Sequence, residues 1–166
     1  MPRGHVDFVA KFADGYIRLA RLAADAIAKS PAIDTGELLA RSEISGFLDR
    51  MLGQGDRRAL YVVAVLANVG WDGEVESEGE IIARELGLEW KWVRATVEEF
   101  HGRYVIAPKG GRYRYISPTP LGNQLAVEAW KVYGKELRLL PDMLPSEKAR
   151  EAYWERLGSI KSSPVA

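Results

Sequence analysis

Lys91, Trp92 and Arg94 fall close together, and Lys109, Arg112 and Arg114 follow in a stretch rich in Tyr, Val and Ile. Lysine and arginine hydrogen-bond guanine edges and phosphate oxygens, so this set has the chemistry of nucleic-acid recognition. An aromatic side chain flanked by cations is equally the composition of a protein-binding anchor. Glu98 and Glu99 on the same segment oppose phosphate, and Trp92 is unusual for a DNA groove, which tips the reading toward protein.

Other candidate chemistry is weaker. The run Asp72, Glu74, Glu76, Glu78, Glu80 offers the carboxylate oxygens that a hard cation needs, but without the spacing of a calcium loop. Its alternation reads as a solvent-facing edge followed by a capped helix start, where carboxylates favour the helix dipole. The histidines are His5 and His101, neither in a triad-like context. His101 precedes Gly102 at a helix end, where it is expected to cap carbonyls. There is no cysteine, which removes thiol nucleophiles, thiolate metal sites and disulfides. No metal, cofactor or catalytic role is expected.

These residues need elements to hold them. At 166 residues and 47% hydrophobic content the chain can bury one substantial core or two small ones. No apolar run reaches membrane-spanning length, and the Met1–His5 start does not look like a leader; a cytosolic protein that makes no membrane contact is expected. The 23 basic residues equal the 23 acidic ones, so no global field draws in nucleic acid or an anionic membrane. Any such contact must be local.

Helical spacing predicts two packed helices over residues 5–13 and 16–29. A short one comes next, opened by an Asp34/Glu37 capping box, and then one over Glu43–Leu52. Gly53-Gln54-Gly55 is a flexible joint. Asp56 is placed to cap an apolar helix from Arg57 to about Val69, and a turn continues through Gly73. Ser77 and Glu80 predict a second capping box for a helix ending at Leu86. A short turn leads to a helix over Trp90–His101 whose buried stripe is Trp90, Val93, Val97 and Phe100. Arg103–Lys109 and Arg112–Ser117 form a hairpin over Gly110-Gly111. Leu121–Tyr133 makes a closing helix, Pro141 and Pro145 break the chain after it, and Ser146 caps a last helix through Leu157. The predicted organisation is a helical bundle over 1–55, a compact domain over 56–133 and a helical extension over 134–166, a mainly α fold.

The order helix, helix, turn, helix, two-stranded wing, helix resembles the winged-helix superfamily over about half the chain. Preceded by a helical bundle, the whole resembles the lid and winged helix that lie C-terminal to the nucleotide-binding domain of STAND and AAA+ ATPases. Gly15-Tyr16-Ile17-Arg18 is similar to the Gly-x-x-Arg sensor-2 motif of such lids. The resemblance implies that Arg18 touches nucleotide phosphates, a role that suits a permanently charged, bidentate guanidinium. The chain departs from the family in having no Gly-x-x-x-x-Gly-Lys-Ser/Thr segment, so a nucleotide-binding domain would have to be supplied in cis or by another chain. The expected function is a non-catalytic regulatory module that works through macromolecular contacts; a transcriptional regulator that binds double-stranded DNA is the alternative.

Overall fold

The structure, a computed structural model, describes residues 1–101, 106–109 and 111–162, with the backbone alone for 107–109. Helices α1 (Arg3–Ala13) and α2 (Ile17–Lys29) pack together across a turn in which Asp14 and Gly15 take positive φ, 49° and 83°. Aspartate and glycine are residues that enter this left-handed region at low cost. Helix α3 (Thr35–Ala40) opens on the expected capping box. The Asp34 carboxylate accepts the Glu37 N–H at 2.8 Å, and the Glu37 carboxylate accepts the Asp34 N–H at 3.1 Å. Helix α4 (Ser42–Leu52) buries Ile44, Leu48 and Leu52, one above another at helical spacing.

Helix α5 (Arg58–Ala64) is shorter than expected, and Val69–Gly70 forms a strand, β1, where a continuing helix and then a turn were predicted. Every residue from Ala59 to Leu66 is buried, so no periodicity marks where the helix stops. The N-cap is Arg57; Asp56 instead accepts the Arg58 N–H at 3.0 Å. Arg57 ties the joint shut, donating to Asp49 of α4 at 3.1 Å and to Glu128 at 3.0 Å.

Helix α6 (Glu76–Glu85) begins ahead of Ser77, so the predicted Ser77/Glu80 box does not form. A short 3-10 turn over Gly73–Val75 leads in instead. Gly87, at φ 71°, turns the chain toward α7 (Trp90–His101), which buries Val93 and Val97 with Trp90 and Phe100 partly covered beside them. His101 Nδ1 lies 3.0 Å from the Ile106 carbonyl oxygen. Strands β2 (Ile106–Lys109) and β3 (Tyr113–Ile116) pair antiparallel, Ile106 opposite Ile116. β1 adds to the far side of β3 with Val69 opposite Arg114. The sheet is therefore three-stranded, in the order β1-β3-β2, where two strands were expected. Residues 103–105 of the predicted first strand and Gly110 of its loop lie outside the described residues.

Helix α8 (Thr119–Met143) passes the predicted end at Tyr133, which survives as a kink (φ −117°, ψ 24°). Pro141 lies inside its last turn and cannot donate to the Leu137 carbonyl. The Tyr153 hydroxyl donates there instead, at 2.9 Å. Helix α9 (Glu147–Lys161) starts at the expected cap, Ser146 accepting the Ala149 N–H at 3.1 Å, and runs past Leu157. One cluster of buried residues takes in Leu19 and Leu48 from the front helices, Leu60, Trp71 and Val97 from the middle, and Leu140 and Tyr153 from the end. No helix among the described residues is long and apolar enough to cross a membrane.

Candidate interaction surface

Side chains of α7 and β3 meet through carboxylates. Arg94 Nη2 donates to Asp72 at 2.8 Å, Arg94 Nη1 donates to Glu76, and its guanidinium lies over the Trp90 ring. Arg114 Nη2 donates to the second Asp72 oxygen at 3.2 Å and stands 3.8 Å from Glu98. Asp72 thus bridges helix and strand, and both arginines face acidic groups of the same chain. Glu76 also accepts the Trp90 indole N–H at 3.1 Å. That bond, with the Arg94 guanidinium, holds its carboxyl below the usual range.

Trp92 is half-buried against the core, with the Arg58 guanidinium 5.7 Å from its ring centre. Lys91 and Arg112 remain exposed and form no ion pair with a described residue. The Lys109 side chain lies outside the described residues. The acidic run faces solvent only in part: Glu74 and Glu80 are exposed, Asp72 and Glu76 are paired as above, and Glu78 is buried, accepting the Gly70 N–H at 3.0 Å. Helical periodicity places Arg94 off the buried stripe, but it does not show that the preceding turn brings carboxylates against it.

Arg18 stands exposed in the first turn of α2, its guanidinium 5.4 Å from the Phe47 ring centre on α4. An exposed cation over an aromatic face contributes little to stability. Arg18→Ala is expected to leave the melting temperature nearly unchanged in thermal denaturation; a large drop would mark Arg18 as structural and remove the sensor assignment.

A second surface comes from α8 and α9, whose faces leave an open groove of about 640 Å³. Val127 and Trp130 form one wall, Trp154, Leu157 and Ile160 the other. Trp154 is 57% exposed, stacked edge-on against Tyr153 at 4.9 Å. Lys131, Arg138 and Lys161 ring the groove, and no carboxylate among the described residues lines it. A large aromatic left in water among cations is unusual for a surface with no partner. Trp154, Leu157 and Lys161 share a helical face distinct from the core stripe of α9, a signal legible in the sequence. The groove itself was not, because its two walls come from separate helices, and spacing within each does not show how α8 and α9 pack. Comparison with family models, with curated proteins and with solved structures found no match for this chain.

Proposed function

We propose that this chain is a non-catalytic regulatory and interaction module, a helical lid followed by a winged helix of the kind found in STAND and AAA+ ATPases. Its docking site is the α8–α9 groove, and its partner is an acidic, amphipathic protein segment. The observation that carries the reading is the apolar groove with its exposed Trp154 and an all-cationic rim. Apolar walls take the hydrophobic side of such a segment, and Lys131, Arg138 and Lys161 meet its carboxylates. The succession α5, α6, α7, hairpin, α8 supports the winged helix, and Arg18 in the first turn of α2 supports the lid. The duplex-DNA alternative loses ground because Arg94 and Arg114 are engaged by Asp72, Glu76 and Glu98.

The test titrates the intact chain with a synthetic helical peptide bearing a leucine face and a glutamate face, read by fluorescence anisotropy. Saturable binding is expected, weakened by about 2 kcal/mol in Trp154→Ala. Charge reversal of Lys131 and Arg138 should lower affinity and flatten its salt dependence. Peptide binding unaffected by these changes would overturn the groove assignment. Tight duplex binding that vanishes on charge reversal of Lys91 and Arg112 would overturn the protein-partner reading.

A further inference from the structure

The face by which α9 meets α8 consists of Ala149, Ala152, Tyr153 and Arg156, at the i, i+3, i+4, i+7 spacing of a buried stripe. Its fourth member is an arginine, 4% exposed. Arg156 Nη1 donates to Asn123 Oδ1 at 2.6 Å. Nη2 lies over Gly122 of α8, where an added Cβ would stand 2.7 Å from it. Nε is buried without a hydrogen-bond partner among the described residues. No described carboxylate comes within ion-pair distance of this guanidinium.

Taking a charge out of water without a counter-charge is among the most costly arrangements a fold can carry. Burial lowers the Arg156 pKa to about 10, opposed in part by Glu155. The group is therefore still a cation at neutral pH. Structural needs do not call for it, since an apolar side chain at this stripe position would pack between the same helices without that cost.

Arg156 and Asn123 form one side of a cavity of about 670 Å³ bounded by α1, α8, α9 and β3, a size suited to a small organic molecule. Phe8 and Phe12, stacked with ring centres 6.1 Å apart, supply an apolar wall. Lys11, Asp14 and Glu155 line the same space. Asp14 already accepts the Thr119 N–H and hydroxyl, at 2.8 and 2.9 Å. Lys11 offsets one of the two carboxylates, so apart from Arg156 the lining keeps one net negative charge; this disfavours a dianion such as a phosphate monoester, while a single negative charge matches the unpaired guanidinium.

We propose that this cavity binds a small organic monocarboxylate, its carboxylate paired with Arg156 and its apolar part against Phe8 and Phe12. Arginine presents two parallel N–H donors, a geometry that matches the two oxygens of a carboxylate. The site is separate from the α8–α9 groove and does not depend on its partner.

The experiment is calorimetric titration of the intact protein with benzoate, phenyl phosphate and benzyl alcohol at constant ionic strength in chloride, paired with thermal denaturation. Benzoate is expected to bind saturably and to raise the melting temperature with its concentration, as a ligand of the folded state must. Benzyl alcohol should bind at least about tenfold more weakly, because it lacks the charge-assisted pair. Arg156→Met should keep or raise the melting temperature in benzoate-free buffer, since an unpaired buried charge is gone, and should lose the response to benzoate. The proposal is overturned if wild-type protein shows no saturable heat and no shift beyond that of chloride. It is also overturned if phenyl phosphate binds more tightly than benzoate, or if Arg156→Met binds benzoate as well as wild type does. Should that variant fail to fold, the wild-type titration decides alone.

Discussion

Trp71→Ala is expected to destabilise the protein by about 3–5 kcal/mol, the range for removing a wholly buried large aromatic. Trp71 has no exposed surface and meets Trp90 edge to face, ring centres 4.8 Å apart. Its backbone N–H donates to the Arg112 carbonyl at 2.7 Å, so the side chain sits where the strand β1, the start of α7 and the hairpin converge. Losing the indole opens a void under all three at once. The indole Nε1 is buried without a hydrogen-bond partner, which offsets part of what the ring contributes. Trp71→Phe should therefore lose much less. Urea unfolding followed by circular dichroism measures both variants; a loss below about 1 kcal/mol for alanine would show that the hairpin is held by other contacts.

Gly70→Ala is the second large effect, expected to exceed about 3 kcal/mol because the new methyl meets backbone, which cannot rotate away. A Cβ at Gly70 would collide with the Val75 carbonyl oxygen and stand 2.8 Å from Glu78 Cδ. The glycine is needed for close approach: its N–H reaches the buried Glu78 carboxylate at 3.0 Å. Burial pushes the Glu78 pKa up, with the Gly70 N–H and Lys148 opposing. A carboxyl whose folded pKa lies above its unfolded value stabilises the fold relative to neutral pH when protonated. This contribution is present below the unfolded pKa and is lost as pH rises through the folded one. In Gly70→Ala the displaced Glu78 reaches water and that pH dependence should shrink. Gly70→Ala combined with Glu78→Ala should be less destabilising than the two single losses together, since both break one contact. Additive losses in the same urea experiment would show that the two residues act apart.

Much of the helical framework was legible because its signals are local. Asp34 with Glu37, and Ser146, announced helix starts through side-chain geometry that three or four residues determine. Val93 and Val97 came from spacing alone. The failures share a different cause. β1 is invisible because an unbroken apolar run precedes it, and a two-residue strand has too little length for alternation to show. Pro141 reads as a helix breaker, yet the Tyr153 hydroxyl from α9 satisfies the carbonyl it strands, a remedy brought from outside the segment. Arg94 and Arg114 look free until the turn before α6 and the first residue of α6 bring Asp72 and Glu76 into this cluster. Arg156 was the missed signal with a readable trace, a cation at the fourth position of an otherwise buried stripe.

The end of α9 returns to the front of the chain. Ser162 offers its carbonyl to the Thr35 N–H at 2.8 Å, and that carbonyl also accepts the Thr35 hydroxyl at 2.7 Å across 127 residues of sequence. During synthesis, a stretch of 127 residues takes roughly 6–25 s to make at ordinary translation rates, so Thr35 leaves the ribosome long before its partner exists. Throughout that interval α3 must hold by its own capping box and its packing on α4. Closing so long a loop carries an entropic cost that grows only logarithmically with length, so the separation itself adds little to what the clasp must offset.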